Sequence, residues 1–385
     1  MVNYFSSNFK LGILGGGQLG KMMLYETRKF DIQTSVMDTN PQAPGRLACD
    51  HFVVGDLMDF DTVYDFGKKV DVLTFEIESV NVDALEALEK EGILVYPSAH
   101  TLRNIQNKGT QKQLYADRGI PTADFSVFAT KDELLASCKQ QLINYPFVWK
   151  STQGGYDGKG VAIIKSEADL AKIPATECIA EALVPFKNEL AVIVARNVQG
   201  EIKTYPVVEM EFHPEANQVE YVLCPARISE TLAKKATDIA IQTSKAFDHV
   251  GILAVELFLT QTDEILVNEV APRPHNSGHY SIEASFTNQF EQHLRCILDL
   301  PLGATDSKLA GIMVNLTGAE GFTGPVAYEH IDEIMTLRGV TPHIYGKKET
   351  RPFRKMGHVT IVHEDMNLAR QLAEKVKSTL RVISK

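Results

Sequence analysis

Two glutamates, Glu256 and Glu269, lie in GILAVELFLTQTDEILVNEVAPRPHNSGHY, on strand-like runs either side of the polar turn TQTDE. Folded as a hairpin about Thr262 and Asp263, these runs set Glu256 opposite Glu269 on one face. Carboxylates facing each other at about 5 Å repel and destabilise a sheet unless a cation neutralises them. Hard oxygen donors of this kind suit Mg²⁺ bridged to a polyphosphate. The alternative is a pair of glutamates on a wet sheet face. Ala254, Phe258, Ile265 and Val267, expected on that same face, argue against it. Arg273, His275, Asn276, Ser277 and His279 follow directly. The two histidines could suggest zinc, but no cysteine or third histidine lies near in sequence. Polar substrate contacts from a loop after a strand are the better reading.

A second constellation is VWKSTQGGYDGKGVAII, where Lys150 ends a strand and the chain crosses Gly154, Gly155, Gly158 and Gly160. Glycines this dense are costly in backbone entropy, so packing alone explains them poorly. They suit a flap whose N–H groups close over phosphate oxygens. This is no P-loop, because G-K-[ST] is absent and a strand follows instead of a helix. A long hairpin loop explains the glycines equally well; Lys150 before them and Lys159 among them favour phosphate. The third constellation, YGKKETRPFRKMGH, gathers Lys347, Lys348, Arg351, Arg354 and Lys355 in a chain of net charge −10. Alone it reads as a solvated basic loop. Beside a glycine flap and a carboxylate pair it becomes a site for a second phosphate-bearing molecule.

The elements that must position these groups follow from periodicity. The first hundred residues alternate strand and helix: KLGILGGG, QLGKMMLYETRKF, IQTSVMD, ACDHFVVGD, VDVLTFEIE, NVDALEALEKEG and ILVYP. That is half of a doubly wound parallel sheet, whose ligands lie beyond the strand C-terminal ends. After NKGTQKQLYADRGIPTADF the pattern turns to hairpin-forming runs: YPFVWKS, GVAIIK, CIAEALV, ELAVIVARN, IKTYPVVEMEF and QVEYVLCPA. One helix, TLAKKATDIAIQTSKAFDHV, interrupts them, and the tail closes on the helix EDMNLARQLAEKVKSTL. Three domains in sequence account for this organisation.

The opening glycines raise a different possibility. Gly15, Gly17 and Gly20 spell G-x-G-x-x-G, and Asp38 follows at the end of the next strand-like run. This is close to the dinucleotide fingerprint, a tight turn into a helix N-terminus followed by an acid for the ribose. A nicotinamide-dependent oxidoreductase is therefore an alternative, although it leaves the flap, the facing glutamates and the basic stretch unexplained. At 385 residues the chain exceeds one ordinary core. Its negative net charge argues against a general nucleic-acid or membrane-surface partner. Cys49, Cys138, Cys178, Cys224 and Cys296 are scattered and suit reduced thiols. No apolar run reaches the ~18 residues of a membrane span, and the N-terminus lacks signal-peptide organisation. A cytoplasmic enzyme acting on small molecules is the expectation.

Taken in this order, GGGQLGKM, FEIE, NKGTQKQL, GGYDGKG, NEVAPRPHNSGH and RPFRKMGH resemble the ATP-grasp superfamily. Within it the resemblance is to the N5-carboxyaminoimidazole ribonucleotide synthetase family, over essentially the whole chain. It departs at Phe353, where the family pattern leads one to expect Gly. The resemblance implies an α/β and α+β fold in three parts. These are a Rossmann-like pre-ATP-grasp domain over 1–108, an ATP-grasp domain of two subdomains over 109–300, and a small C-terminal domain over 301–385.

By the same resemblance, Lys108 and Lys150 approach the ATP phosphates beneath a flap of Gly154, Gly155, Tyr156, Asp157, Gly158, Lys159 and Gly160. Glu181, Leu183 and Val184 read adenine through backbone groups and Glu189 holds the ribose, with His213 and Asn268 as further nucleotide contacts. Glu256 and Glu269 carry Mg²⁺ or Mn²⁺. Gln18, Glu76, Tyr156, Asp157, Arg273, His275, Asn276, Lys348, Arg351, Arg354 and Lys355 hold aminoimidazole ribonucleotide, the basic ones at its 5′-phosphate. Lys150, Arg273 and Glu269 carry catalysis. The implied reaction joins ATP, bicarbonate and the ribonucleotide's 5-amino group through carboxyphosphate, in purine biosynthesis, and a homodimer is the family's expected assembly. Ligases of the same fold acting on glycinamide ribonucleotide or biotin are the nearest alternatives, with a catalytically silent ATP-binding protein as another. The pair GGYDGKG and RPFRKMGH favours the aminoimidazole substrate. On this reading GGGQLG turns strand into helix, the helix N-terminus faces a small substrate, and Asp38 needs no ribose, a structural or polar-surface role sufficing.

Overall fold

In a computed structural model, residues 4–154, 160–213 and 218–385 are described. The apolar run KLGIL forms β1 (Lys10–Leu14), buried beyond its first residue as a central parallel strand must be. Around it lie β2 (Gln33–Asp38), β3 (His51–Val54), β4 (Val72–Phe75) and β5 (Leu94–Val95), in the order β3-β2-β1-β4-β5 with every pairing parallel. The connecting helices start where side chains can cap them: Asp59 accepts from the Thr62 amide, Asn81 from Ala84 and Ser98 from Thr101. Asn107 separates the helices Ala99–Gln106 and Lys108–Asp117 and caps the second by accepting from the Thr110 amide. That cap fixes Lys108 as the first residue of a helix.

The next unit is a four-stranded antiparallel sheet of β6 (Phe125–Phe128), β7 (Phe147–Ser151), β8 (Val161–Ile164) and β9 (Cys178–Ala182), ordered β6-β9-β7-β8. Residues 183–185 lead from its β9 into β10 (Phe186–Arg196), which belongs to a second, larger sheet. That sheet also holds β11 (Ile202–Thr204), β12 (Val208–Phe212), β13 (Val219–Cys224), β14 (Gly251–Thr260), β15 (Ile265–Ala271) and β16 (Ala310–Thr317). A further sheet joins β17 (Gly324–Glu329) to β19 (Glu349–Thr350) and β21 (Arg381–Ser384). Strands β18 (Val340–Ile344) and β20 (Lys355–His363) return to the large sheet, whose order is β15-β14-β10-β12-β13-β16-β20-β18 with β11 beside β10. Strands from beyond residue 300 therefore continue the central sheet.

The helix Glu230–Phe247 packs its apolar face on one side of this sheet, against Leu190, Val192, Val255, Leu257 and Val267. The N-terminal unit is riveted to the rest by shared core. Leu11, Ile13 and Met23 pack with Phe290, Leu294 and Ile297 of the helix Gln289–Ile297 and with Tyr345 near the C-terminal strands. Buried polar contacts reinforce the joint: Thr74 Oγ1 lies 3.0 Å from His293 Nε2, and Asn288 donates to Glu26 at 2.9 Å. Such joints hold residues from distant segments in fixed relation. No helix among the described residues is long and apolar enough to cross a membrane.

Candidate active site

The hairpin of β14 and β15 pairs Glu256 with Glu269, as the alternation of its sequence predicts. The path to that pairing differs. The turn centres on Thr262, giving Leu259 opposite Ile265, Phe258 opposite Leu266 and Leu257 opposite Val267. This register is one residue off the expected one, and a bulge at Asn268 restores the match at Glu256. Bulges commonly re-aim side chains beside functional sites. The expectation that Ile265 and Val267 share the glutamates' face is accordingly corrected: both pack in the core with Val255, Leu257 and Leu259. The extra residue, Asn268, accepts a hydrogen bond from Lys150 Nζ at 3.0 Å.

The opposing wall comes from the helix Lys108–Asp117 and from β7. Lys108 Nζ pairs with the Glu269 carboxylate, and its backbone N–H donates to the Thr152 carbonyl. Lys150 Nζ lies 2.9 Å from Glu181, which is itself almost fully buried on β9. The site thus sets Lys108 and Lys150 against Glu269 and Asn268 of the hairpin, with Glu181 beside Lys150. Burial and its neighbours Glu269 and Glu189 push the Glu256 carboxyl well up, against the pull of Lys108 and Lys355. Burial raises Glu269 as well, but Lys108 and Lys150 outweigh it and hold that carboxyl well below the usual range. Burial, with Glu269 adding to it, takes Glu189 up to about 7. A face that concentrates this much negative charge suits a divalent cation, and the donors present, two carboxylates and the Asn268 amide oxygen, are the hard oxygens Mg²⁺ prefers.

Arg273 emerges just after β15 and is gripped by Glu78 at 2.8 Å. His275 Nε2 lies 3.4 Å from Glu256, and its backbone N–H donates to Gln289. Asn276 exchanges two hydrogen bonds with Asn315 on β16, each 2.9 Å. His279 is buried against Phe290 and His358, with Gln289 as its hydrogen-bond neighbour. From the C-terminal segment, Lys347 Nζ donates to the Lys355 carbonyl and Arg354 to the Glu349 carbonyl. Arg354 and Lys355 are half-buried, whereas Lys348 and Arg351 are exposed.

Of the residues expected at the nucleotide, Glu181 lies near the end of β9, ahead of the 183–185 connection, where Leu183 is exposed and Val184 half-buried. Glu189 lies on β10 next to Phe258 of β14, and His213 follows β12 with its ring near Phe353. Gly154 and Gly160 bracket the expected flap. Gly155, Tyr156, Asp157, Gly158 and Lys159 lie outside the described residues. Sequence reasoning missed two further members of the cleft. Lys112 is buried, donates to Thr122 at 2.6 Å and lies 3.4 Å from Glu181. Burial takes its ammonium down to about 8, with Lys150 adding and Glu181 opposing. Glu78, the partner of Arg273, is the last letter of FEIE; the repeated acid in that motif was the available signal.

The glycine turn is occupied from within. Asp38 accepts from the Gly16 amide at 2.7 Å, and Glu76 accepts from Gly17 at 2.7 Å and Gly20 at 3.1 Å. These are the amides a dinucleotide pyrophosphate needs at this helix N-terminus. Gly15 holds φ at +96°, and a Cβ there would come within 2.7 Å of Glu76 Cγ, so both backbone and space demand glycine. At this helix end the Gly17 and Gly20 amides donate to a carboxylate of the protein itself. Burial raises Glu76 to about 7, against the two amides and Arg273. Gln18 opens the helix Gln18–Lys29 beside it, half-buried.

A cleft between a four-stranded antiparallel sheet and a larger one, with lysines facing carboxylates across it, defines an ATP-grasp protein. Family models agree with that class. The ribonucleotide synthetase pre-ATP-grasp domain matches residues 9–106, the ATP-grasp domain 113–290, and the phosphoribosylaminoimidazole carboxylase C-terminal domain 311–372. The N5-carboxyaminoimidazole ribonucleotide synthase of Bacillus subtilis is 39% identical, over 92% of this chain and 91% of its own. The chloroplastic phosphoribosylaminoimidazole carboxylase of Vigna aconitifolia is 40% identical over 93% of this chain, which spans 64% of that longer protein. The crystal structure of the Thermotoga maritima N5-carboxyaminoimidazole ribonucleotide synthetase superposes with a TM-score of 0.89 at 43% identity, covering 98% of this chain and 100% of that one. An Aspergillus clavatus N5-carboxyaminoimidazole synthase, solved with ADP and 5-aminoimidazole ribonucleotide, superposes at 0.87 with 33% identity, covering 96% and 98%. This chain belongs to the N5-carboxyaminoimidazole ribonucleotide synthetase family of ATP-grasp ligases.

Proposed function

We propose that the chain uses ATP and bicarbonate to carboxylate 5-aminoimidazole ribonucleotide, giving N5-carboxyaminoimidazole ribonucleotide, ADP and phosphate. The observation that carries this reading is the meeting of Lys108, Lys150 and Asn268 with the Glu256–Glu269 pair in one cleft, adjoined by Arg273, His275 and Lys355. The Aspergillus clavatus relative, solved with ADP and the ribonucleotide together, supports the same pair of ligands. ATP lies between the two sheets, with adenine against the backbone of Glu181, Leu183 and Val184 and its ribose at Glu189. Lys108 and Lys150 approach its phosphates and His213 borders the nucleotide. Glu256 and Glu269 would hold Mg²⁺, which when bound would supply charge neutralisation for the phosphates.

A bicarbonate oxygen attacks the γ-phosphorus, ADP leaves, and carboxyphosphate forms. Its breakdown releases phosphate and CO₂, and the 5-amino nitrogen adds to that carbon and loses a proton to give the carbamate. Lys150 and Arg273 stabilise the developing negative charge, a term that positioned donors supply best in a closed site. Glu78 fixes Arg273 for this role. Gln18, Glu76, His275 and Asn276 border the ribonucleotide, and Lys348, Arg351, Arg354 and Lys355 face its 5′-phosphate. Assembly as a homodimer belongs to the same reading, and light scattering on the purified chain tests it.

The deciding experiment measures ADP release from Mg²⁺-ATP and labelled bicarbonate, with and without the ribonucleotide. Strong stimulation, with label entering an acid-labile product, is expected. ADP release driven only by another amine or carboxylate would keep the ligase and move the substrate.

A further inference from the structure

Phe353 holds φ at +61°, in the left-handed region that a bulky side chain seldom adopts. The surrounding turn dictates it. The Arg354 amide donates to the Arg351 carbonyl at 3.1 Å, closing Arg351–Arg354 with Pro352 in its second place and Phe353 in its third. Proline followed by a positive φ is the pattern of a type II turn, whose third place suits glycine. The turn cannot relax elsewhere. Phe353 N–H donates to the Gly318 carbonyl and Gly318 N–H to the Arg354 carbonyl, both at 2.9 Å. A Cβ on Gly318 would lie 2.2 Å from the Arg351 oxygen, so the two segments are locked at their closest approach. The chain thus keeps an aromatic residue where backbone geometry asks for glycine.

Its side chain supplies the reason. The Phe353 ring lies 5.9 Å from the His213 imidazole, with planes at 59°, a separation at which aromatic pairs attract. His213 belongs to the nucleotide side of the cleft, whereas Arg354 and Lys355, the next two residues, belong to the basic stretch. One ring therefore bridges the two ligand sites. We propose that Phe353 is a positioning residue whose contact with His213 sets the basic turn and the nucleotide site relative to each other. The assignment of ligands to those sites rests on the function proposed above; the bridge itself does not.

The test compares the full-length chain with F353G and F353N, which keep a residue tolerant of left-handed backbone, and F353Y, which keeps the ring. F353G and F353N are expected to raise KM for both ATP and the ribonucleotide about 3- to 10-fold with kcat little changed, as small misplacements of binding groups do. F353Y should restore wild-type values. The thermal midpoint of F353G should equal or exceed that of wild type, because glycine relieves the backbone. Unchanged KM values in both F353G and F353N would overturn the proposal, whatever happens to the midpoint. ADP binding by calorimetry tests the bridge without the acceptor: several-fold weaker binding by F353G is expected, and unaltered affinity overturns it. Wild-type protein that ignores the ribonucleotide counts against the proposed function alone, since the calorimetric arm still decides the role of Phe353.

Discussion

The glycine turn Gly15–Gly20 and the hairpin bearing Glu256 and Glu269 both place carboxylates where charge decides chemistry, but their charges are satisfied differently. At the turn, the Gly16, Gly17 and Gly20 amides already have acceptors in Asp38 and Glu76, contributed by β2 and the end of β4 of the same sheet. At the hairpin, two carboxylates share one face, and the cation that neutralises Glu269 comes from Lys108, across the cleft. The first arrangement is complete within one unit. The second borrows its compensation from Lys108, the first residue of the separate helix Lys108–Asp117. A glycine motif at a helix N-terminus becomes an anion site only if the chain leaves its amides without acceptors, whereas facing carboxylates neutralised only from across a cleft mark a place where a ligand cation can substitute.

The most severe way to break this comparison is Glu269→Gln, which keeps the shape of the pair and removes the carboxylate that Lys108 and Lys150 hold ionised. ADP formation should fall on the order of 10²–10³-fold, the scale seen when one positioned electrostatic group is lost from a phosphoryl- or acyl-transfer site. Near-ultraviolet circular dichroism should be unchanged. Turnover within tenfold of wild type would mean that the hairpin is as self-contained as the turn.

A smaller effect sharpens the other half. Glu76 completes the turn, yet burial holds its carboxyl at about 7, above the ordinary 4.5. The sign follows from linkage. The folded state binds the proton more tightly than the unfolded chain, so this contribution to stability is fully present below pH 4.5 and is lost as pH rises through about 7. Glu76→Gln resembles the protonated form and lacks that titration. Urea unfolding at pH 5 and pH 8 should show wild type losing about 1–3 kcal/mol relative to the Gln variant. A difference independent of pH would show that the two amides fully compensate burial.

Much of this was legible in the residues themselves. Largely apolar runs announced β1 and β4, because a strand covered on both faces has no polar alternation to blur it. The pairing of Glu256 with Glu269 was legible from period-two spacing, but the route to it was not, since the shorter turn and the bulge at Asn268 cancel and leave no trace in the pattern. Lys112 was hidden for a different reason. KGTQKQLYAD is polar nearly all round, and only the packing of that helix beside β9 buries one of its lysines. The backbone demand at Phe353 was half visible: an expected glycine was missing, but the ring contact that compensates depends on His213, far away in sequence.

The smallest expected effect falls on Asp38, the residue that the dinucleotide fingerprint would assign to a ribose. Here its two oxygens accept from the Gly16 and Asn40 amides, both at 2.7 Å, so its role is to finish the turn. Asp38→Ala should lower stability by about 1 kcal/mol, the usual net worth of such hydrogen bonds where water can partly replace them. ADP formation should be unaffected, because Asp38 faces the turn and the hairpin lies elsewhere. NADH added to wild type should give no saturable change in fluorescence. If it did saturate, and Asp38→Ala abolished it, Glu76 would have to leave the helix N-terminus to admit the pyrophosphate. The turn would then be an open site like the hairpin, and the contrast between them would fail.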